Sequence, residues 1–292
     1  MRESVRLKSF ELVARDIADV DVHLLHALTA SVGWPHRPKD WDFLIRAGKG
    51  LAAIDGIGRV FATAMWFPHG EDFATVGLVV TSPRTQAQGG GRWLMDHVLE
   101  HCRGRDLTLN STRAAHGLYL SLGFVDEASV HMRQGELARK LPSLPPVNGE
   151  LSALGSDRLA EILPIDSHAF GRSRERLLTL LAGNASICVL RRGGQIVGYS
   201  MKRDFGRGYV VGPVAATNSE DALHLTAVHL ETLKGQFVRV DTREAHGPYA
   251  AFLEQCGLPV AEVVTTMSKG LRFLNRRKDE PWFYGLAGHA LS

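Results

Sequence analysis

Apolar residues recur at helical spacing from Asp16 to Ser31, at Ile17, Val20, Val22, Leu24, Leu25 and Leu28, which predicts an amphipathic helix. Three short runs follow in which apolar and β-branched residues dominate, Leu51–Ile54, Val60–Trp66 and Ala74–Val80, and their length and composition predict strands. Beyond Gly91 the helical period returns, with Leu94, Met95, Val98, Leu99 and Cys102 on one face. Leu107–Leu109 then reads as a further strand. Strand, glycine-rich turn, helix and strand in that order make a βαβ unit, so the fold class is α/β (α+β).

The pattern breaks at Leu141–Gly149, where three prolines and a glycine prevent a helix and disfavour central strand pairing. A domain linker is expected there, and the two halves it separates repeat. Thr112-Arg113-Ala114-Ala115-His116-Gly117-Leu118-Tyr119 returns as Thr242-Arg243-Glu244-Ala245-His246-Gly247-Pro248-Tyr249, six of eight residues identical at an offset of 130. Ala47-Gly48 against Ala182-Gly183, and Met132 and Gly135 against Met267 and Gly270, repeat at an offset of 135. Loop insertions produce such drift. The expected organisation is a first domain over residues 1–140, a second copy over 147–271 and a tail over 272–292.

Composition narrows the functional classes. Of 292 residues 45% are hydrophobic and 22% charged, the usage of an ordinary folded domain rather than a disordered or fibrous chain. A net charge of +3, spread evenly, argues against nucleic acid as the partner. No stretch approaches 18 uninterrupted apolar residues, and Met1–Arg6 lacks the apolar run of a secretory signal; no membrane association and a cytoplasmic location are expected. Cys102, Cys188 and Cys256 are odd in number and far apart, which fits a reducing compartment without a structural metal.

The segment richest in candidate chemistry runs from Val80 to Leu94 and holds Gly89, Gly90 and Gly91. Glycines between a strand and a helix leave backbone N–H groups unobstructed at the positive end of the helix dipole, an arrangement that suits a phosphate. It is also the composition of a plain flexible turn. The lysine of G-x-x-x-x-G-K-[ST] is missing and G-x-G-x-x-G is not formed.

Gln86-x-x-Gly89-x-Gly91, preceded by Val79-Val80 and Pro83, resembles the pyrophosphate-binding loop of the GNAT superfamily of acyl-CoA N-acyltransferases. Ala115-x-x-Leu118-Tyr119-x-x-Leu122-Gly123-Phe124 is similar to that family's A-x-x-L-Y-x-x-L-G-F signature. The likeness covers residues 5 to 135 well, and the second half resembles the divergent C-terminal copy of bacterial tandem acetyltransferases. The resemblance implies two tandem GNAT-like domains, each a mixed central sheet flanked by helices, with acetyl-CoA as co-substrate and no metal. It implies that Val79 faces the thioester carbonyl and that the backbone at Val80 and Thr81 pairs with the pantetheine arm. Gln86, Ala87, Gln88, Gly89, Gly90, Gly91 and Arg92 would hold the pyrophosphate, and Tyr119 would protonate the departing thiolate. Tyrosine is protonated at neutral pH, its ordinary pKa being about 10, so it can donate to a developing thiolate.

Two positions depart from the family. Thr112 stands where many members have an asparagine on the CoA side, and Thr75 where several have a general-base glutamate. A lysine-like amine needs a base, and the nearby candidates are Glu71, Asp72 and His69. The acceptor wall is expected in the loop Gly33–Trp41, where Trp34, His36 and Trp41 offer apolar surface with N–H handles; the two tryptophans also suit an anchored structural loop. His116 recurs as His246, which favours a structural role for both.

In the second half Pro213 to Gly235 has no glycine between its ends, and Ser219-Glu220-Asp221 stands where the loop would be; acidic side chains there oppose a pyrophosphate. His97-x-x-Glu100-His101 matches the H-x-x-E-H zinc signature, but Val98 and Leu99 belong to the apolar stripe of the helix and no third ligand identifies itself. The reading is therefore an N-acetyltransferase, monomer or homodimer, that moves acetyl directly from acetyl-CoA to a primary amine of a small molecule or peptide. The alternatives are a non-catalytic acyl-CoA-binding or regulatory protein and, remotely, a zinc metallopeptidase.

Overall fold

The computed structural model describes residues 4–292 apart from Lys8, Ser9, Ala87, Asn275, Arg276 and Lys278. It comprises two compact units, Met1–Leu109 and Asn110–Ser292.

The first unit runs β1 (Ser4–Leu7), β2 (Phe10–Asp16), α1 (Val22–Ser31), α2 (Pro38–Ala47), β3 (Lys49–Asp55), β4 (Val60–His69), β5 (Phe73–Thr81), α3 (Gly90–His101) and β6 (Asp106–Ser111), whose last two residues belong to the second unit. β1 to β5 pair in sequence order and antiparallel. β5 and β6 are parallel, with Phe73–Val76 opposite Asp106–Leu109. Their crossover is α3, whose buried Leu94, Met95 and Val98 are the apolar stripe predicted from sequence. The expected strands all form, each one to three residues longer at an end.

The stretch expected as one helix from Asp16 to Ser31 is divided. A 3-10 turn covers Ile17–Asp19 and α1 starts at Val22. Two aspartates cause the break: Asp16 accepts from the Ala18 N–H and Asp21 from the His23 N–H, each cap ending one segment and starting the next.

The second unit contains α4 (His116–Ser121), β7 (Val125–Glu136), β8 (Glu150–Leu154), α5 (Leu163–Phe170), α6 (Glu175–Ala182), β9 (Ala185–Arg192), β10 (Gln195–Phe205), β11 (Gly208–Ala216), α7 (Ser219–Glu231), β12 (Phe237–Thr242), α8 (Pro248–Gln255), β13 (Val260–Lys269) and β14 (Trp282–Gly285). β8, β9, β10 and β11 form an antiparallel run, and β11 is parallel to β12. β7 lies between β12 and β13, antiparallel to both. By sequence repeat β7 belongs with the first copy, yet it hydrogen-bonds within the second unit. The repeat boundary at the proline-rich segment and the division at Leu109 therefore measure different things. Leu141, Leu144 and Val147 of that segment pack on the buried cluster around Leu225, Val238 and Tyr249.

Candidate functional site

β5 is buried on both faces, as befits an apolar strand covered on two sides. Its pairing with β4 shifts between Thr63–Val80 and Met65–Gly77, so β5 carries one extra residue there. Leu78 takes φ +50°, a left-handed conformation uncommon for a non-glycine residue. The buried Thr63 hydroxyl donates to the Leu78 carbonyl at 2.8 Å, which turns that carbonyl inward. A bulge of this kind re-aims the backbone beyond it, here Val79 to Thr81. β6 follows β5 no further than the Val76–Leu109 pair. Gly77 to Thr81 therefore run on with no partner strand from the first unit on that edge, among the described residues.

The strand leads into a tight loop. The Ser82 N–H donates to the Phe61 carbonyl at 2.7 Å and the Thr85 N–H to the Ser82 carbonyl at 2.9 Å, while Thr85 itself is buried. Both glutamine side chains serve the loop: Gln86 Nε2 donates to the Thr81 carbonyl at 3.2 Å and Gln88 Nε2 to the Arg84 carbonyl at 3.2 Å. Helix α3 starts at Gly90, with Gly89 as its N-cap at φ +90° and no side-chain cap. Its first-turn N–H groups, Gly90 and Gly91 among them, have no acceptor within the helix. Backbone, rather than the glutamine amides, is thus what this helix start offers an anion. Arg92 is exposed in the first turn. Ala87 falls outside the described residues.

The two carboxylates expected as candidate bases are placed elsewhere. Glu71 and Asp72 sit in the turn before Phe73, exposed, and Glu71 pairs with Arg105 at 3.4 Å. Seven residues of extended chain separate Asp72 from Val79, about 20 Å, so β5 holds Glu71 and Asp72 at its opposite end from the bulge. Thr75 is fully buried in the strand and His69 is buried beside Phe73.

The expected acceptor wall is also corrected at one residue. Trp41 is fully buried in α2, with Nε1 donating to the Thr29 hydroxyl at 3.3 Å; it anchors α2 to α1 and presents no surface to a ligand. Arg37 and Asp40 close the start of α2 through a bidentate pair at 2.9 and 3.0 Å. Trp34 and His36 are half-buried and stack obliquely, centroids 5.8 Å apart, and the His36 carbonyl meets His26 Nδ1 at 2.6 Å.

In the second unit Thr112 follows β6, its carbonyl accepting from the Ala115 N–H at 3.1 Å. Tyr119 is buried in α4 with its ring edge-on to Phe124 at 5.9 Å, and burial pushes its hydroxyl well above the usual tyrosine value. His116 Nε2 pairs with Asp126 at 2.8 Å, a structural contact. Tyr249, the counterpart of Tyr119, is likewise buried, and its hydroxyl shares a 2.9 Å hydrogen bond with Thr226 on α7.

The zinc-like triplet does not converge. His97 is buried with its ring edge-on to Trp93 at 5.1 Å, His101 stacks on Trp66 at 5.0 Å, and Glu100 pairs with Arg103. Among the described residues no three His, Cys, Asp or Glu side chains are placed to hold a metal ion. The three cysteines are buried and free, and burial pushes Cys102 and Cys188 up to about 11 and Cys256 to about 12. No helix is long and apolar enough to cross a membrane, among the described residues.

The backbone of Leu78 is a structural feature that sequence reasoning missed, since a leucine in an apolar run gives no sign of a left-handed conformation. β14 is another, because four residues in a tail give no sign that they join a sheet.

Comparison with known proteins agrees with this architecture. Two family models described as acetyltransferase (GNAT) domain match residues 47–126 and 162–282, more than half of the chain between them. The fold is similar to a putative acetyltransferase from Pyrococcus horikoshii, with 17% identity, a TM-score of 0.79 and coverage of 100% of this chain and 99% of that one. A tandem GNAT protein from the clavulanic acid biosynthesis pathway is similar over 89% of this chain and 99% of its own, with 17% identity and a TM-score of 0.62. A GCN5-related N-acetyltransferase from Sphaerobacter thermophilus is similar over 88% and 95%, with 18% identity and a TM-score of 0.62. No curated protein is similar in sequence. With one such domain matched in each half and whole-chain likeness to tandem folds, the chain belongs to the GNAT acetyltransferases as a tandem member.

Proposed function

We propose that the N-terminal copy, residues 1–140, binds acetyl-CoA and that the protein transfers the acetyl group directly to a primary amine of a small molecule or peptide. The observation that carries the reading is the continuity of an open strand edge with an uncapped glycine helix start. Val79 to Thr81 offer backbone groups to an extended amide-bearing chain, and Gly89 to Gly91 offer N–H groups to a pyrophosphate about one loop further on. Arg92 adds a cation beside them. Thr112 takes the place of the asparagine on the CoA side.

In the reaction the amine nitrogen attacks the thioester carbonyl carbon, a C–N bond forms and the C–S bond breaks. The Val79 backbone polarises the carbonyl. Tyr119 gives its phenolic proton to the departing thiolate, and its high pKa keeps that proton in place until the thiolate develops. The amine's surplus proton leaves to water, since Glu71 and Asp72 lie at the other end of β5. Trp34 and His36 remain as acceptor-side residues. The reducing cytoplasm suits three buried free thiols.

The test is a screen of small amines, amino acids and peptides for CoA release above the acetyl-CoA hydrolysis rate, followed by Tyr119→Phe with the best acceptor. Turnover is expected to fall about 100-fold while acetyl-CoA affinity holds; unchanged turnover removes Tyr119 from the reaction. Stoichiometric acetyl-CoA binding with no acetylated amine would favour a non-catalytic acyl-CoA-binding protein.

A further inference from the structure

Strand β11 has two edges. β10 takes one of them, pairing Gly198, Tyr199 and Ser200 with Ala216, Ala215 and Val214. The other edge starts against β12, but that pairing covers Tyr209 and Val210 and ends there. From Val214 onward β14 takes this second edge, antiparallel, with Gly285, Phe283 and Trp282 opposite Val214, Ala215 and Ala216. The following residue, Leu286, donates its N–H to the Asp241 carbonyl of β12 at 2.8 Å. β14 therefore fills the gap between two parallel strands that have parted.

The corresponding gap in the first unit lies beside β5. β5 and β11 are both nine residues long, at the offset of 135 seen in the sequence repeat. Both are bulged at the same place: the β5 register shifts around Leu78 and the β11 register between Val211 and Val214. Counted from the bulges the offset is 134, so Val80 and Thr81 correspond to Val214 and Ala215, two of the three residues that β14 covers.

The occupant is fitted rather than laid on. A Cβ at Gly212 would stand 1.9 Å from the Leu286 carbonyl oxygen, and one at Gly285 would stand 2.9 Å from Val214 Cγ2; glycine at both positions lets the backbones meet. Phe283, Tyr284, Leu286 and Ala287 are almost fully buried. The Arg174 guanidinium lies against the Phe283 and Phe170 rings, at 4.4 and 4.6 Å from their centroids. Tyr284 packs edge-on to Tyr249 at 5.5 Å. The helix start beyond β11 is closed as well: Asn218 accepts from the Asp221 N–H at 2.9 Å, and Arg192 pairs with the Asp221 carboxylate at 2.7 Å.

We propose that residues 282–287 are a permanent intramolecular occupant of the cleft that the first unit keeps for the acyl donor, so that the chain has a single donor site. The inference rests on the donor reading of β5. A tethered strand competes at an effective concentration in the millimolar range or above, and it leaves only when its own buried aromatic residues are exposed. Acetyl-CoA therefore does not displace it.

Hydrogen exchange and an acetyl-CoA titration by native mass spectrometry on the full chain test this. Amides of residues 282–287 are expected to exchange as slowly as those of β11, with one acetyl-CoA bound per chain. Zero bound with slow exchange refutes the donor site in the first unit and still supports the occupant. Two bound per chain, or exchange of 282–287 within minutes while β10 and β11 stay protected, overturns it. Gly285→Val, which drives a methyl group into Val214, is expected to speed exchange of 282–287 at least 10-fold with β9 unchanged. Unchanged rates would refute the pairing of β14 with β11.

Discussion

Two parallel strand pairs, β5 with β6 and β11 with β12, diverge after a short stretch of pairing, and the gap each leaves is treated differently. Beside β5 the edge from Gly77 to Thr81 has no further strand of its own unit, and the next helix begins on three glycines without a side-chain cap. Beside β11 the edge is covered by β14, and the next helix is capped by Asn218 with Glu220 and Asp221 in its first turn. The chain has kept the bulged strand in both copies and changed the strand edge beside it and the helix start after it. Duplicated folds diverge at the site and not in the scaffold, because an exposed strand edge and an uncapped helix both leave polar groups to be satisfied. A copy released from ligand binding satisfies them from its own chain.

The comparison breaks most severely at Gly89. A glutamate there must adopt φ +90°, costly for any residue with a Cβ, and brings a carboxylate to the phosphate end of α3. Among the described residues no neighbour lies within 4 Å of the position a Cβ would take, so the volume is accommodated there. Gly89→Glu is expected to lower acetyl-CoA affinity at least 100-fold in calorimetric titration with the melting temperature shifted by a few degrees. Retained affinity would remove the loop from the donor site.

The closed copy breaks next at Arg174, fully buried and bonded to Asp166 through Nε and Nη2 at 3.0 and 2.8 Å, with Nη1 donating to the Ser292 carbonyl at 2.7 Å. The Tyr199 hydroxyl donates to the same carboxylate. Arg174→Met leaves Asp166 without its counter-charge in the core, at a cost of about 3–5 kcal/mol. Urea unfolding should show that loss, and residues 282–287 should lose exchange protection ahead of β9. A variant as stable as the parent would mean that the guanidinium does not hold the inserted strand.

Much of this contrast is legible in the sequence. Gly89-Gly90-Gly91 after an apolar strand is a contiguous signal, and so is its replacement by Ser219-Glu220-Asp221. The apolar stripe of α3 follows from period, and the strands Val60–Trp66 and Ala74–Val80 follow from length and composition. The features hidden from sequence are long-range or backbone-borne. Trp282–Gly285 is four residues in a tail without period, and nothing local says that it joins β11. β7 falls in the first copy by the sequence repeat, yet its partners are β12 and β13, because strand pairing depends on residues more than a hundred positions away. Trp41 reads as a ligand wall beside Trp34, although Trp41, Phe43, Leu44 and Ala47 lie on the buried face of one helix. Glu71 and Asp72 are close to Val79 in number and far in space, since a strand converts seven residues into about 20 Å.

Acid sharpens the comparison by acting on α7 of the closed copy. His229 lies nearly buried with Nε2 2.9 Å from the Ser200 hydroxyl, and burial, aided by the Lys202 charge, lowers its pKa to about 4. Its ordinary value is about 6.5. Between pH 6.5 and 4 the unfolded chain binds the proton that the folded chain refuses, so stability falls as pH falls. At pH 5 the loss relative to pH 7 is about 2 kcal/mol. His229→Gln removes the titration, and its urea midpoint should fall correspondingly less between pH 7 and pH 5. Equal pH dependence in parent and variant would show that His229 is accessible to solvent.

The smallest expected effect separates the copies by one atom. Tyr249→Phe removes the hydroxyl that meets Thr226 at 2.9 Å in a fully buried place. The Thr226 hydroxyl loses that partner, and the cost is about 1 kcal/mol, read as a shift of a few degrees in melting temperature. Tyr249 faces Tyr284 of the inserted strand and not a donor, so CoA release with a true acceptor should be unchanged. The same deletion at Tyr119 is expected to act on turnover. If Tyr249→Phe slows turnover as much as Tyr119→Phe does, the second copy takes part in the chemistry and the contrast between an open and a closed strand edge fails.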